Sequence, residues 1–213
     1  MMHSTATAHN ANSGAVAPRL TWRVVDIVVA AVLGVVIGLV FWVWNTIGYA
    51  WFTAADGLTP GLGGIAVGIW LLGGVVGGLV IRKPGAALVV EVVAAIVSML
   101  IGNIWGVSTV LEGIAQGLGA ELVFALFLYR RFSLPVAALA GVGAAAGAWL
   151  FELFYGSSPN ILKSAVFNGI YLGTLVVSGA VLAGVLGWLL VRALAATGAL
   201  SRFAAGRELR REV

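Results

Sequence analysis

Six long apolar runs, separated by short polar or turn-forming segments, make up most of this chain of 213 residues. Each run approaches the length of about 20 residues with which an α-helix crosses the hydrocarbon core of a bilayer. The runs cover residues 24–44, 62–81, 86–101, 109–129, 134–155 and 168–191. The pattern predicts an all-α integral membrane protein, folded as a bundle of six transmembrane helices.

The basic residues between these runs give the predicted bundle an orientation. Eleven of the twelve Lys and Arg residues lie before the first run, after the sixth, or in the connections that follow the second and fourth runs. Lys163 alone lies in a connection on the opposite side. Because short connections rich in Lys and Arg stay in the cytoplasm, the sequence predicts a multi-pass protein of the cell membrane with both termini inside.

The two ends of the chain differ from the apolar middle. Residues 1–20 are rich in Ala, Ser, Thr and Asn and show no apolar period, which predicts a disordered cytoplasmic arm. Residues 21–192 form the predicted membrane domain. Residues 193–213 form a basic cytoplasmic tail, for which two interpretations stay open: it lies on anionic lipid at the inner surface, or it is a solvated helix end.

Several kinds of chemistry are excluded by the residues that the chain contains. It has no cysteine, which rules out disulfides and thiolate chemistry. Its two histidines, His3 and His9, both lie in the arm, so no histidine-based metal centre is expected inside the membrane. No phosphate-binding glycine loop is present, so ATP hydrolysis is not expected. We therefore predict a protein that is not an enzyme and carries no cofactor or metal.

Four carboxylates fall within the apolar runs, where each is costly to bury and therefore marks a candidate site. Glu112 and Glu152 lie near the outer ends of their helices, Glu121 lies near mid-membrane, and Glu91 lies towards the inner half. No Lys or Arg lies within the runs to neutralise them. These acids are therefore expected to be protonated, to lie close to water, or to meet a cationic ligand.

Aromatic and amide side chains are concentrated at the same outer level as two of these acids. They predict a pocket for a flat, cationic, heteroaromatic ligand, held by stacking and cation–π contacts. The alternative is an interfacial belt, which Trp and Tyr commonly form at membrane surfaces. The predicted binding residues are Trp44, Asn45, Asn103, Trp105, Glu112, Gln116, Trp149, Glu152, Tyr155, Asn168 and Tyr171.

A stripe of small residues lies along the first predicted helix. Ala30, Gly34 and Gly38 recur every four residues and so share one face. Such a face lets another helix approach closely. Two interpretations stay open at this point: packing within the bundle, and docking of a partner membrane subunit.

The stretch IGNIWGVSTVLEGIAQGLGAELVFALFLYRRF, residues 101–132, resembles the substrate-binding S components of energy-coupling factor (ECF) vitamin transporters, and most nearly the YkoE type. The start at Trp22–Asp26 and the small-residue stripe support the resemblance. It implies a six-helix S component that binds thiamine or its hydroxymethylpyrimidine precursor from outside, with the segment after the first helix as a lid. It also implies a transmembrane coupling subunit, which docks on Ala30, Gly34 and Gly38, and two ATPase subunits.

Two alternatives of other classes stay open from the sequence. One is a structural membrane protein, in which the acids and aromatic residues only pack the bundle. The other is a small proton-coupled carrier that uses Glu121 or Glu91 and needs no ATPase partner.

Overall fold

The computed structural model describes residues 20–156 and 159–207, and within these ranges the regular structure is entirely helical. Two 3₁₀ segments, Leu62–Leu71 and Asn160–Leu162, and one π segment, Gly179–Val185, connect or extend the α-helices. The α-helices are α1 Val24–Leu58, α2 Leu72–Ile81, α3 Ala86–Ile101, α4 Ser108–Leu126, α5 Leu134–Phe154, α6 Ala165–Ser178 and α7 Leu186–Ala196. The prediction of an all-α fold is confirmed.

Five helical segments of the described chain are long and apolar enough to cross a membrane. They are Val24–Leu58, Leu62–Ile81, Ser108–Leu126, Leu134–Phe154 and Ala165–Ala196. The remaining predicted span, the third, coincides with α3, whose 16 residues extend about 24 Å, somewhat less than a bilayer core of about 30 Å. The chain is therefore a multi-pass membrane protein.

The first helix is much longer than the predicted span. The first predicted run ends at residue 44, but α1 continues to Leu58 and has 35 residues. At 1.5 Å per residue it is about 52 Å long, so it extends beyond the hydrocarbon core. It ends where Pro60 disfavours helix at Thr59, and Asp56 accepts a hydrogen bond from Gly61 N at 2.7 Å.

The second span consists of a 3₁₀ half followed by α2. Glycines let the 3₁₀ half lie directly on the α6 backbone: a Cβ on Gly64 would come within 2.8 Å of Tyr171 O, and one on Gly68 within 2.3 Å of Ser178 O. The Ser178 hydroxyl fixes this contact, because it accepts from Gly68 N at 2.8 Å and donates to Ile65 O at 2.6 Å. The close approach explains the departure from α-helical geometry in this half.

All ten residues of α2 are buried, so this helix forms the centre of the bundle. Its glycines allow the surrounding helices to come close: a Cβ on Gly77 would meet the Val90 side chain of α3, and one on Gly78 would meet the Phe124 ring of α4. The outward face of α1 carries exposed apolar side chains such as Val32, as expected for a surface in contact with lipid.

Asp26 joins the start of α1 to the turn between α2 and α3. Its carboxylate accepts from the backbone and guanidinium of Arg23, with Nη2 to Oδ1 at 2.9 Å, and forms an ion pair with Lys83. Lys83 also donates to Thr21 O at 2.6 Å. The hydrogen bond to Asp26 raises the pKa of Arg23 above its usual range. This end of the bundle is therefore held by buried charges that compensate one another.

The last helix and the residues after it depart from the predicted domain division. The predicted boundary between residues 192 and 193 falls inside α7, which ends at Ala196. Leu200 and Phe203 are buried and pack against the bundle core. The first part of the basic tail is thus folded onto the protein. Residues 1–19 and 208–213, and with them most of the predicted disordered arm, lie outside the described residues.

Candidate functional site

A cavity of about 550 Å³ opens at the end of the bundle where the α3–α4 and α5–α6 connections lie. Its volume falls in the range of about 300–1,000 Å³ that small-molecule sites occupy. The wall consists of Phe41, Asn45, Tyr49, Phe52, Val67, Trp70, Ala95, Ile104, Trp105, Ser108, Thr109, Glu112, Gln116, Phe151, Glu152, Tyr155, Gly156, Asn160, Lys163, Phe167 and Tyr171.

Aromatic rings from several elements form much of this wall. Trp105, in the α3–α4 connection, meets Tyr49 of α1 and Trp70 of the 3₁₀ segment edge to face, at centroid distances of 5.4 and 5.8 Å. On the other side Phe167 stacks on Tyr171 at 5.7 Å. Rings held at fixed angles by neighbouring rings present both faces and edges to the cavity, which suits a flat ligand.

Two carboxyl groups face the cavity from α4 and α5. Glu112 accepts from Gln116 Nε2 at 2.9 Å, so these two side chains, spaced i, i+4, share a face of α4. Glu152 accepts from the Tyr171 hydroxyl at 3.0 Å through Oε1, while its buried Oε2 has no hydrogen-bond partner among the described residues. The two carboxyl groups are close enough to interact electrostatically. A cation in the cavity would relieve their repulsion and satisfy the second oxygen.

A basic side chain reaches the cavity, although no Lys or Arg lies within the apolar runs. Lys163, in the α5–α6 connection, belongs to the wall, and its Nζ lies 4.3 Å from the centre of the Phe167 ring. It is exposed at the rim and interacts electrostatically with Glu152. The sequence assigned Lys163 correctly to a connection, but did not show that the 3₁₀ turn Asn160–Leu162 brings this connection back over the opening.

The structure brings seven of the eleven predicted binding residues to the cavity and leaves four outside its wall. The seven are Asn45, Trp105, Glu112, Gln116, Glu152, Tyr155 and Tyr171. The four that do not line it are Trp44, Asn103, Trp149 and Asn168.

Three of these four position other parts of the site. Asn103 Oδ1 accepts from the backbone N–H groups of Trp105 and Gly106, at 2.9 and 2.8 Å, and so shapes the turn that presents Trp105. Asn168 Nδ2 donates to Asn160 O at 2.8 Å, and this bond ties the α5–α6 connection to α6. Trp44 Nε1 donates to Ala66 O at 2.9 Å.

Trp149 occupies a different environment from these three. It is half-buried, and its indole N–H has no hydrogen-bond partner among the described residues. At 100° per residue Trp149 lies 60° from Glu152 around α5, because three residues fall short of a full helical turn, and Trp149 does not line the cavity.

Fourteen wall residues were not in the predicted set, and two of them, Tyr49 and Phe52, follow from the longer α1. Phe41, Asn45, Tyr49 and Phe52 all line the cavity from this one helix. Their spacing of four, four and three residues is helical and was the available signal that the first helix continues past residue 44. Trp70 lacks such a signal, because it lies within an apolar run; its indole donates to Asn45 Oδ1 at 2.8 Å.

The other two intramembrane acids lie outside the cavity wall. Glu121 accepts from Gly85 N at 2.6 Å, Ala87 N at 2.9 Å, Leu88 N at 3.3 Å and the Tyr129 hydroxyl at 2.8 Å. It therefore satisfies the N–H groups at the start of α3. Burial and this hydrogen bond raise the pKa of Tyr129, which follows the span, above its usual range.

Glu91 is completely buried between α2, α3 and α4. Its Oε2 accepts from Gly74 N at 2.5 Å, and its Oε1 has no hydrogen-bond partner among the described residues. This contact fixes the first turn of α2, just after the junction with the 3₁₀ segment that carries Trp70. Its placement indicates a structural role next to the site.

The small-residue stripe is placed inside the bundle rather than on its surface. Ala30, Gly34 and Gly38 are all buried, and a Cβ on Gly34 would lie 2.4 Å from a methyl carbon of Val93 in α3. The prediction that these three residues form a docking face therefore needs correction: in this structure α3 covers them. The alternative interpretation, packing within the bundle, accounts for their spacing.

Comparisons with known proteins agree with this architecture. Residues 25–147 match the family described as "ABC-type cobalt transport system, permease component". A Bacillus subtilis (strain 168) protein, YkoE, named as an HMP/thiamine permease, is 39% identical over 197 residues, which cover 90% of this chain and 94% of that protein. A crystal structure described as an S-component of an ECF transporter superposes with a TM-score of 0.83 at 37% identity, covering 90% of this chain and 95% of that one.

Two of these similarities cover 90% of this chain, and the family match includes the α3–α4 connection. The resemblance drawn from residues 101–132 is thereby confirmed, and the relatives are transport proteins rather than enzymes. The chain belongs to the YkoE-type family of S components, the substrate-binding membrane subunits of ECF transporters.

Proposed function

We propose that this S component binds thiamine, or its hydroxymethylpyrimidine precursor, in the 550 Å³ cavity and passes it to the cytoplasm. The observation that carries the proposal is the pair of carboxyl groups, Glu112 and Glu152, set in a wall of aromatic rings. Thiamine combines a permanent positive charge with two flat rings. The name of the B. subtilis relative supports the same class of cargo.

The chemistry of the wall favours an organic cation over the cobalt ion that the family description mentions. Cobalt sites are built mainly from imidazole, thiolate and carboxylate ligands, whereas this chain has no cysteine and only two histidines, His3 and His9. The cavity offers two carboxyl groups together with aromatic faces. Stacking and cation–π contacts stabilise a heteroaromatic cation but contribute little to a metal ion.

Tryptophan fluorescence provides the direct test. Trp70 and Trp105 line the cavity, so a ligand stacked beside them should quench their emission. We expect thiamine at nanomolar to low micromolar concentration to quench the tryptophan fluorescence of the purified protein in a saturable way. Riboflavin and Co²⁺ should cause no saturable quenching. A response to hydroxymethylpyrimidine alone would assign the precursor as cargo. A response to Co²⁺ alone would overturn the proposal of an organic cargo.

We further propose that Glu112, Gln116, Glu152 and Tyr171 contact the ligand, with the aromatic rings around them. Asn45, Trp105 and Tyr155 complete the predicted contacts within the wall. Of the other four predicted residues, Asn103, Asn168 and Trp44 take a positioning role through the hydrogen bonds described above. The extended end of α1, which carries Tyr49 and Phe52, takes the place of the predicted loop as the movable cover.

The membrane topology that we propose has six spans, with α3 as the shortest, and both termini in the cytoplasm of the cell. The asymmetry of Lys and Arg supports it. Because the chain has no native cysteine, single-cysteine labelling reports on accessibility without background. Gly57→Cys should react with a membrane-impermeant maleimide in intact cells, and Ser133→Cys only after lysis, since both positions are exposed at opposite ends. The reverse pattern would invert the topology.

We propose that delivery requires a transmembrane coupling subunit and two ATPase subunits, as membership of the S-component family implies. Since α3 covers the stripe formed by Ala30, Gly34 and Gly38, docking there would need α1 and α3 to separate. Uptake by cells that express the chain should therefore depend on the ATPases. Undiminished uptake in cells that lack them would favour an independent carrier.

A further inference from the structure

Ser98 of α3 is fully buried, and it contacts the cavity wall from behind without belonging to it. Its Oγ accepts a hydrogen bond from Asn45 Nδ2 of α1 at 2.9 Å. Asn45 Oδ1 in turn accepts from the indole N–H of Trp70 at 2.8 Å. One amide group therefore joins α1, α3 and the 3₁₀ segment Leu62–Leu71 at the level of the cavity.

The hydrogen-bonding capacities of these three groups allow one arrangement only. An indole N–H can donate but not accept, so the amide atom that faces Trp70 must be the oxygen. The amide nitrogen of Asn45 is then directed at Ser98, whose hydroxyl oxygen is its acceptor. Without that acceptor the nitrogen loses its partner, and the amide is no longer held in the orientation that Trp70 requires.

Contacts between aromatic rings extend this arrangement along the cavity. Trp70 meets Trp105 edge to face, with the ring planes at 82°, and Trp105 meets Tyr49 in the same way at 87°. Tyr49 lies on α1 about one turn after Asn45, so the contacts form a closed circuit that begins and ends on the same helix. Every member of this circuit lines the cavity except Ser98.

We propose that Ser98 is a positioning residue for ligand binding, which acts through Asn45 to hold the ring of Trp70 in the cavity wall. The proposal rests on the proposed function, because it takes the ligand to stack beside Trp70. A ring that is already held in place loses little conformational freedom when a ligand binds. Ser98 therefore raises the affinity for the ligand without contacting it.

Calorimetric titration of a double-mutant cycle with thiamine tests the proposal. Ser98→Ala should weaken binding about three- to tenfold, the scale of one hydrogen bond. In a Trp70→Phe background, where the ring has no N–H to orient, the same substitution should change the affinity by less than about twofold. Trp22→Phe is the matched control, because it removes an indole hydrogen bond, to Pro84 O at 2.8 Å, outside the cavity wall. In that background Ser98→Ala should keep its full effect.

The indole N–H of Trp70 gives a second measurement that needs no ligand. Ultraviolet resonance Raman spectra contain a band that reports hydrogen bonding of the indole N–H, and subtraction of the matching Trp70→Phe spectrum isolates the band of Trp70. Ser98→Ala should shift this band towards that of an indole without the hydrogen bond. Ser98→Cys, whose sulfur is a weak acceptor, should shift it in the same direction and replaces Ser98→Ala if that variant does not fold.

Two results would overturn the proposal. An equal loss of affinity from Ser98→Ala in the parent and Trp70→Phe backgrounds would assign Ser98 to the packing of α3 against α1. Unchanged affinity with an unchanged indole band would show that Asn45 keeps its orientation without the serine. Failure of the parent chain to bind thiamine would contradict the proposed function instead, and the ligand-free indole band would then decide alone whether Ser98 positions Trp70.

Discussion

At the end of the bundle that carries the arginines, Asp26 and Glu121 each have hydrogen-bond donors at both carboxyl oxygens. At the other end, Glu152 keeps one buried oxygen without a hydrogen-bond partner among the described residues, and Glu112 faces the cavity beside it. All four are acids within or next to membrane helices. They differ in whether the protein itself supplies enough donors.

This difference separates acids that maintain the fold from acids that can serve a ligand. A buried carboxylate whose two oxygens both accept hydrogen bonds from the protein has no free acceptor position for a ligand. A carboxylate in a cavity with one oxygen lacking a hydrogen bond destabilises the fold until a cation or a donor binds to it. Binding of the ligand then supplies the interaction that the protein does not. The comparison predicts opposite responses to the same Glu→Gln chemistry at the two ends.

The largest effect is expected at Asp26. Asp26→Asn leaves the ammonium of Lys83 buried without its ion-pair partner, which should cost about 3–5 kcal/mol of unfolding free energy. The measurement is unfolding of the detergent-solubilised protein by heat and by denaturing detergent. Asp56→Asn is the control, because an asparagine oxygen can still accept from Gly61 N. Equal stability of the two variants would show that the ion pair of Asp26 with Lys83 does not stabilise the fold.

Glu121→Gln should be the next most destabilising change, by about 2–3 kcal/mol, because its amide group would direct donors at the N–H groups that start α3. Tyr129→Phe removes a single donor to the same carboxylate and should cost about 1 kcal/mol. Thiamine quenching should be unchanged in both variants once they are folded. Uptake that loses its dependence on a proton gradient in Glu121→Gln, at unchanged stability, would instead support the proton-coupled carrier.

At the outer end the same chemistry should spare the fold and weaken binding. Glu112→Gln and Glu152→Gln each replace a buried carboxyl group, whose ionised form is costly beside the other one, with a neutral amide of the same shape, so thermal stability should stay constant or rise. Affinity for thiamine should fall by about 1–3 kcal/mol, the scale of a hydrogen bond to a charged group. Titration by fluorescence quenching measures this fall. Asp56→Asn is the control, because it neutralises an acid outside the cavity wall. Unchanged affinity in both Glu variants would reject the carboxylate pair as the cation site.

Features of the fold and of the site that depend on residues close together in the chain could be predicted from the sequence. The existence of helices follows from runs of apolar residues, and the bounds of α3 were predicted closely, since it begins and ends at the predicted residues. The i, i+4 pair Glu112 and Gln116 is likewise local. The end of α1 at Leu58 was missed, because aromatic and turn-forming residues outweighed the helical spacing of Tyr49 and Phe52.

Contacts between distant segments were not accessible in the same way. The sequence gives the spacing of Ala30, Gly34 and Gly38, but either a partner subunit or α3 can fill the face that they create. Trp70 lines the cavity from a 3₁₀ segment, where the apolar run predicted an α-helix. The burial of the small-residue stripe and the position of Trp70 both depend on which helices pack against each other, and a local sequence pattern does not determine this packing.

The smallest predicted effect concerns Lys163, whose ammonium lies over Phe167 at the rim and competes with a cationic ligand for Glu152. Lys163→Gln should raise the affinity for thiamine about two- to fivefold, the scale of an exposed ion pair, and the gain should shrink at high salt. Hydroxymethylpyrimidine, which lacks the permanent charge, should bind both proteins equally and is the matched control. Lys163→Arg should behave like the parent chain. Weaker thiamine binding in Lys163→Gln would mean that the lysine contacts the ligand rather than repelling it, and the outer end would then hold its cargo through groups of both signs.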